Sequence, residues 1–240
     1  MDCGFLSSVQ VVTERISNAA EYPFCLPAVK ALGARLRLDC RATLLTGENG
    51  SGKSTIMEAI AVAAGFNAEG GSTNFRFSTR ASESPLHRCI RLSRTHRRPQ
   101  TGFFLRAESF FNVATSIEAM DREPAPAPPL INSYGGRSLH EQSHGESLMA
   151  LVRHRFGPQG LYLLDEPEGG LSIRRQIELL QELQAHVTER GSQVIVATHS
   201  PILLALPGAC IYRLAEDGIS RIEYEETEAF RLSRDFILRQ

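Results

Sequence analysis

The chain lacks the features that would place it in a membrane or outside the cell. No stretch approaches the ~20 consecutive apolar residues that cross a bilayer, and the N-terminus has no basic segment followed by an apolar core. Its 240 residues carry 26 Lys and Arg against 27 Asp and Glu, so the net charge of -1 gives no overall preference for an anionic partner. We therefore expect a soluble, cytoplasmic protein that has no transmembrane segment and is not exported by itself.

Cysteine is scarce and scattered. The five cysteines include no C-x-x-C pair and stand far apart: Cys3, Cys25, Cys40, Cys89 and Cys210. This pattern argues against a disulfide framework and against a structural zinc site. We expect reduced thiols.

Internal repeats and sustained heptads are also lacking, and strand-like apolar runs instead alternate with helix-like amphipathic segments. This alternation predicts an α/β fold with a sheet between helices. Strands are predicted at residues 6–12, 35–38, 42–46, 102–107, 161–164, 193–197, 210–214 and 219–224. Helices are predicted at residues 53–64, 86–94, 109–120, 147–156, 172–190 and 226–238. The proline-rich residues 124–129 predict an extended surface connector.

A glycine-rich segment follows the apolar run at residues 42–46 and fits the pattern G-x-x-x-x-G-K-[ST]. A turn of this kind between a strand and a helix points backbone N–H groups at the phosphates of a nucleotide. Lys53 would add a positive charge near the β and γ phosphates, and the Ser54 hydroxyl would bind Mg²⁺. The predicted nucleotide-binding residues are Gly47, Glu48, Asn49, Gly50, Ser51, Gly52, Lys53, Ser54 and Thr55.

Two carboxylates follow the buried-strand run at residues 161–164. Ligands of open α/β folds bind at the carboxyl ends of parallel strands, so Asp165 is a candidate to hold Mg²⁺, commonly through water. Glu166 is suited to orient or deprotonate an attacking water. The alternative for such a pair alone is a solvated acidic strand end.

Two weaker signals stand elsewhere in the chain. His199 follows the strand-like run 193–197 and could hydrogen-bond a γ-phosphate, although a lone histidine is more often structural. Ser143, Gly145 and Glu146 stand at a predicted helix start, where free N–H groups and a hydroxyl could grip an anion. The same residues also fit an ordinary helix cap.

In this order, the phosphate loop, Ser143 to Glu146, Leu163 to Pro167 and His199 resemble the ABC-type ATPase head of transporters and SMC-like DNA-repair proteins. More narrowly, residues 103–112 and the Leu-Leu-Asp-Glu-Pro-Glu run ending at Glu168 are similar to the small stand-alone bacterial AAA-family (ABC-like) ATPases. The resemblance implies one P-loop NTPase domain over residues 1–240. It implies a mixed sheet core with flanking helices, and a small helical lid subdomain at about 76–150 that carries the signature motif.

The resemblance also assigns roles to residues. It implies catalytic functions for Glu166, His199 and Lys53, and a homodimer that sandwiches two ATP molecules head to tail. Ser143, Gly145 and Glu146 would contact the nucleotide of the second subunit. The metal ligands would be Ser54 and Asp165, with Glu108 at the place of the usual lid glutamine.

The sequence departs from the family pattern at two further places, and its adenine-contacting aromatic has two candidates. His144 replaces a signature glycine, and Ser172 stands where an aspartate is usual. The aromatic that stacks on adenine would be Tyr22 or Phe24, each of which could equally be an ordinary core or surface aromatic.

A local basic stretch lies within this neutral chain. Arginines occur at Arg76, Arg80, Arg88, Arg91, Arg94, Arg97 and Arg98, against only Glu83. They could contact nucleic-acid phosphates, or they could form a solvated surface.

The leading functional hypothesis is Mg-dependent ATP hydrolysis by a dimeric switch that is coupled to an unknown partner or to nucleic acid. One alternative is the nucleotide-binding subunit of an ABC transporter. Another is an ATP-gated sensor that controls an effector protein such as a nuclease or toxin. The roughly 110 residues between the two nucleotide motifs leave no room for a long coiled coil.

Overall fold

The computed structural model describes residues 4–72, 84–122 and 128–239, which form two β-sheets and seven α-helices. The strands are β1 (Leu6–Val11), β2 (Leu36–Arg37), β3 (Ala42–Thr46), β4 (Ile90–Arg94), β5 (Thr101–Arg106), β6 (Gly160–Asp165), β7 (Gln193–Ala197), β8 (Cys210–Ala215) and β9 (Gly218–Ile222). The helices are α1 (Pro27–Ala31), α2 (Lys53–Ala64), α3 (Leu86–Cys89), α4 (Phe110–Arg122), α5 (His144–Arg155), α6 (Ile173–Thr188) and α7 (Glu228–Leu238). All eight predicted strands are confirmed to within two residues.

The larger sheet has six strands in the order β5-β6-β7-β3-β8-β9. Only β9 runs antiparallel, as the second strand of a hairpin with β8. Because the other five strands are parallel, their carboxyl ends meet at one edge of the sheet. The predicted mixed sheet is confirmed, and its order brings the ends of β3, β6 and β7 side by side.

Each central strand buries side chains on both faces of this sheet. Leu45, Leu163 and Ile195 belong to the core on the α2 side. Their chain neighbours Leu44, Leu164 and Val196 belong to the core shared with α5 and α6. Since successive strand residues point to opposite faces, a continuous apolar run such as residues 161–164 fits a sheet covered on both sides by helices.

The smaller sheet corrects the prediction of a helix at residues 86–94. The α3 helix ends at Cys89, and the next five residues form β4, which pairs antiparallel with β1. Ile90 is buried and Arg91 is exposed, and Val9 pairs with Leu92 in the same ladder. The strand therefore forms because β1 supplies a partner for its alternating pattern, which local helix propensity does not register.

One buried glutamine joins the two sheets. Gln193, at the start of β7, is fully buried, and its Oε1 accepts the N–H groups of Phe5 and Leu6 at 2.7 and 2.8 Å. Its Nε2 donates to the Leu6 carbonyl at 2.8 Å. The amide thus supplies hydrogen-bond partners to backbone groups at the start of β1, which is not a strand of the larger sheet.

The helical part of the chain lies beside the larger sheet. It consists of α4, two 3₁₀ turns at Leu130–Tyr134 and Leu139–Glu141, and α5. Tyr134 and Ile117 are buried there in the core shared with α5 and α6. Most of the predicted proline-rich connector lies outside the described residues.

The expectation of reduced thiols is wrong for two cysteines. Cys40 and Cys210 form a disulfide with a Cα–Cα distance of 6.0 Å, although they stand 170 positions apart. The reason is the sheet order, since β8 begins at Cys210 beside the start of β3. Cys25 and Cys89 are free, and Cys3 lies outside the described residues.

Over the ranges that the structure describes, no helix is long and apolar enough to cross a membrane.

Candidate nucleotide site

The phosphate loop connects the end of β3 to the start of α2. Gly50 and Gly52 have φ values of 82° and 98°, in the left-handed region that glycine adopts without a side-chain penalty. A Cβ added at Gly50 would meet no atom within 4 Å, so the loop opens onto free space. Gly52 caps α2 without a side-chain hydrogen bond, which leaves the first N–H groups of the helix without an intrahelical acceptor.

Ser51 adds a polar group to this loop. Its Oγ is buried and has no hydrogen-bond partner among the described residues. The positive end of the α2 dipole lies in the same place, so the loop fits the phosphates of a nucleotide.

Lys53 is held inside the loop. Its side chain is buried, and Nζ donates to the carbonyl oxygens of Gly47 and Glu48 at 3.0 and 3.1 Å. Burial lowers the pKa of this ammonium, while the nearby carboxylates of Glu166, Asp165 and Glu168 act in the opposite direction. The carbonyl dipoles balance only part of the charge on the Lys53 ammonium. Lys53 is therefore positioned to bind an anion, which would balance the rest.

Asp165 and Ser54 lie together, as a shared metal site requires. The Ser54 Oγ donates to Asp165 Oδ1 at 3.0 Å, and the carboxyl is almost completely buried at the end of β6. Burial raises the pKa of Asp165 to about 6, against the opposing attraction of Arg106. A hydroxyl and a buried carboxylate with no full counter-charge fit a divalent cation that prefers oxygen ligands.

Arg106 is the neighbour that sequence reasoning missed. In the β5–β6 ladder it is paired with Asp165, and its Nε lies 3.6 Å from Asp165 Oδ2. The same guanidinium lies 2.9 Å from Glu58 Oε2 and 3.7 Å from Glu108 Oε2. Glu108 is thus at the rim of the site with a mostly exposed side chain, linked to Asp165 through Arg106. Position 106 is the last but one residue of the predicted strand 102–107, and this was the signal available in the sequence.

Glu166 and His199 face each other across the ends of β6 and β7. His199 Nε2 lies 3.4 Å from Glu166 Oε1, without the geometry of a hydrogen bond, and both side chains are partly open to solvent. Glu166 has a φ of 49°, a conformation that costs a non-glycine residue about 1 to 3 kcal/mol. Its N–H donates to the Ala197 carbonyl at 2.9 Å, which fixes the strained residue against β7.

The segment Ser143 to Glu146 forms the start of α5. The Ser143 N–H and Oγ donate to Glu146 Oε2 at 3.0 and 2.7 Å, which completes a capping box. This hydrogen bonding lowers the pKa of the Glu146 carboxyl. Within the described ranges, no hydrogen bond or ion pair joins this segment to residues 47–55. The structure therefore brings together the phosphate loop, Asp165, Glu166 and His199, but not Ser143, Gly145 and Glu146.

The two aromatic candidates for adenine stacking differ in exposure. Phe24 is buried in the core on the α2 side, so its ring is not available to a ligand. Tyr22 is 64% exposed, and its hydroxyl lies 2.8 Å from Thr55 Oγ1 at the start of α2. Tyr22 is therefore the aromatic that remains a candidate.

A groove of about 1500 Å³ runs along the phosphate loop. Residues 46–51 and His199 line one side, and the β8–β9 turn and the first part of α7 line the other. The loop is packed closely against the end of β8, because a Cβ added at Gly47 would lie 2.2 Å from the Leu214 carbonyl oxygen. A nucleotide bound at the loop would thus have room for its ribose and base.

Comparison with known proteins gives two family matches. The family profile described as "AAA domain" matches residues 33–113, which include the phosphate loop. The profile described as "AAA domain, putative AbiEii toxin, Type IV TA system" matches residues 131–205, which include Ser143, Asp165 and His199. The two matches therefore divide the candidate site between them.

Individual relatives are more distant. The chain is 29% identical over 170 residues to "ABC transporter I family member 1" of Arabidopsis thaliana, covering 68% of this chain and 72% of that protein. A solved structure described as "An inward-facing conformation of a putative metal-chelate type ABC transporter" has a TM-score of 0.53 at 16% identity, covering 95% of this chain and 88% of that one. The SMC head domain from Thermotoga maritima has a TM-score of 0.46 at 16% identity, with 91% and 98% covered.

The metal-chelate transporter structure agrees with the topology of the larger sheet, and the two family matches include the ordered motifs of the site. They support ATP binding and hydrolysis as the general activity of the family. Over these two ranges the chain is similar to AAA-family domains, and its fold is similar to that of an ABC transporter structure.

Proposed function

We propose that this protein binds ATP with Mg²⁺ and hydrolyses it as a head-to-tail homodimer. The observation that carries the proposal is the meeting of three pairs of groups at one sheet edge. These are Lys53 with the loop carbonyls, Ser54 with Asp165, and Glu166 with His199. Charge neutralisation, metal ligation and water activation are the three requirements of phosphoryl transfer to water.

The residues of the chain would divide this work. The phosphate loop and Lys53 would hold the β and γ phosphates, while Ser54 and Asp165 would hold Mg²⁺, with Glu108 reached through water. Mg²⁺, when bound, would neutralise charge on the phosphate oxygens. Glu166 would accept a proton from the attacking water, and His199 would hydrogen-bond the γ-phosphate and fix the Glu166 carboxylate. Tyr22 would stack on the base.

The dimer is proposed because no hydrogen bond or ion pair among the described residues joins the α5 start to the phosphate loop of its own chain. The capping box occupies Ser143 and Glu146. The helix end at His144 and Gly145 would then bind an anion that another molecule carries. A second copy, turned head to tail, would place Ser143, Gly145 and Glu146 against the nucleotide held by the first.

Steady-state phosphate release tests the activity. With ATP and Mg²⁺, we expect hydrolysis by the wild type and a loss of about 10²-fold to 10⁴-fold in kcat for Glu166→Gln, because a general base contributes that range. The matched control is Glu189→Gln, an exposed carboxamide replacement at the end of α6. Wild-type kcat in Glu166→Gln would show that another group activates the water.

Two related assignments would use the same site differently. The Arabidopsis relative supports the nucleotide-binding subunit of an ABC transporter as an alternative, and the toxin-system description supports an ATP-gated sensor for an effector. Co-purification with Glu166→Gln as bait, from the native cell, separates them: a membrane protein supports the first, and a nuclease or toxin supports the second. A cytoplasmic location stays a prediction.

Nucleic-acid binding is a second candidate because the described arginines of the basic stretch lie on the surface. Arg88, Arg91, Arg94 and Arg98 are all exposed at or beside β4. Arg76 and Arg80 lie outside the described residues. Phosphate contacts by such side chains weaken steeply as salt increases.

Charge reversal tests this candidate. The double variant Arg91→Glu with Arg94→Glu should abolish retention of DNA or RNA on a filter at low salt. The control is Arg122→Glu with Arg239→Glu, which reverses two exposed charges elsewhere. Equal retention by both double variants would reject the basic stretch as the interface.

A further inference from the structure

Three side chains join the loop that follows β6 to the loop that follows β7. We call residues 166–172 the β6 loop and residues 198–202 the His199 loop. The bridging side chains are Glu168 in the first loop, Ser200 in the second, and Gln176 in the first turns of α6. Together they connect the segment after the candidate base to the segment that carries His199.

Glu168 holds the backbone of the His199 loop directly. Its Oε1 accepts the His199 N–H at 2.6 Å and the Ser200 N–H at 3.2 Å. Hydrogen bonds from N–H groups to a carboxylate are about twice as strong as neutral ones. The other oxygen, Oε2, is buried and receives no hydrogen bond within the described part of the chain. The carboxylate is thus committed to these two N–H groups.

Gln176 adds a second connection. Its Nε2 donates to the Leu171 carbonyl at 3.0 Å, and its Oε1 accepts the Ser200 hydroxyl at 2.6 Å. The Ser200 Oγ in turn accepts the N–H groups of Ile202 and Leu203 at 3.1 and 3.2 Å. Because one amide contacts both loops, a displacement of either loop breaks one of its hydrogen bonds.

The β6 loop also contacts the start of α5 on its other side. A Cβ added at Gly170 would lie 3.0 Å from His144 Cδ2, and one added at Gly145 would lie 3.3 Å from Leu171 Cδ2. The loop therefore lies between Gly145 and His199. The α5 start packs against the β6 loop, and Glu168 of that loop is hydrogen-bonded to the His199 backbone.

We propose that Glu168 and Gln176 are positioning residues that hold His199 opposite Glu166 and tie its position to the β6 loop. The proposal rests on the proposed ATPase function. Neither side chain has to touch the nucleotide. They act through the backbone N–H groups of residues 199 and 200, and thus through the 3.4 Å contact between His199 and Glu166.

Kinetics separate this role from a contribution to binding. Glu168→Ala and Gln176→Ala should each lower kcat by about 10-fold to 100-fold, since small misplacements of a reacting group cost rates of that order. The KM for ATP should stay within about threefold of wild type, because neither side chain hydrogen-bonds the phosphate loop. The controls are Glu189→Ala and Gln184→Ala, which remove the same groups from exposed positions on or beside α6.

A double-mutant cycle gives the readout that a general structural defect would not produce. If Glu168 acts through His199, adding Glu168→Ala to His199→Ala should reduce kcat no further. Multiplying effects would overturn the proposal, as would wild-type kcat in Glu168→Ala. If Glu168→Ala does not fold, Glu168→Gln and Gln176→Ala carry the same cycle, because each removes only part of the bridge.

The same measurements distinguish a failure of the positioning role from a failure of the proposed function. A wild type that hydrolyses ATP, with bridge variants equally fast, rejects the positioning role alone. A wild type with no hydrolysis rejects the proposed function and the positioning role with it.

Discussion

Asp165 is the residue at which the needs of the fold and of the site oppose each other most directly. Its carboxyl is almost completely buried, and burial raises its pKa to about 6 from an ordinary value of 3.8. The Ser54 hydroxyl and the Arg106 guanidinium compensate only part of this cost. A buried carboxylate without a full counter-charge is a poor choice for stability and a suitable one for holding a cation.

Replacement of Asp165 by asparagine should therefore stabilise the protein in the absence of nucleotide. The folded state binds the proton more tightly than the unfolded state, so stability is lost as pH rises from about 4 to about 6. Above that window, Asp165→Asn should gain up to about 3 kcal/mol, since one pKa unit corresponds to 1.36 kcal/mol. Below pH 4 the gain should vanish.

Urea unfolding of both proteins at pH 7.5 and at pH 4 measures this difference. Asp217→Asn, an exposed replacement in the β8–β9 turn, is the control and should show no gain. An Asp165→Asn protein that is less stable than wild type at pH 7.5 would contradict the account of burial.

Single residues were predicted from sequence where a motif fixes their neighbours in the chain. Lys53 and Ser54 could be placed in the loop because four of eight consecutive positions fit its pattern. The contacts of Arg106 and Glu168 could not be predicted, since they depend on how β5, β6 and the His199 loop pack together. The positive φ of Glu166 was likewise hidden, because Asp-Glu-Pro gives no sign of a left-handed residue.

At the level of elements, the junction of the two sheets depends on Gln193. Its side chain supplies three hydrogen bonds to Phe5 and Leu6, all buried. These bonds place β1 against the amino end of β7, and β1 in turn carries β2 and β4.

Gln193→Leu should loosen this junction at nearly constant side-chain size. Two N–H groups and one carbonyl would stay buried without a partner, and each costs about 1 to 3 kcal/mol, so we expect a loss of at least about 2 kcal/mol. The measurement is the free energy of unfolding in urea. Gln184→Leu, at an exposed position of α6, is the control. Equal stability of both variants would show that the amide is dispensable.

Elements could be predicted from sequence when their pattern was self-contained. The bounds of α2 were predicted correctly because a phosphate loop precedes it and Gly65 ends it. The helix predicted at residues 86–94 was wrong beyond Cys89, because β4 exists through pairing with a strand some 80 positions earlier. The Cys40–Cys210 disulfide was missed for the same reason, since only the sheet order brings its two ends together.

For the whole molecule, the proposed two-subunit site would explain why the motif residues form two sets. The phosphate loop, Asp165, Glu166 and His199 converge in one chain, whereas Ser143, Gly145 and Glu146 do not join them. The sequence predicted both sets, and no hydrogen bond or ion pair among the described residues joins them. A complete site would then need a second copy.

Light scattering of Glu166→Gln tests this central claim most directly. With saturating ATP and Mg²⁺, a variant that binds but does not hydrolyse should accumulate as a dimer, with about twice the 26.5 kDa mass of one chain. Without nucleotide, or with Lys53→Ala added, it should be monomeric. A Glu166→Gln protein that stays monomeric at saturating ATP and Mg²⁺ would contradict the two-subunit site.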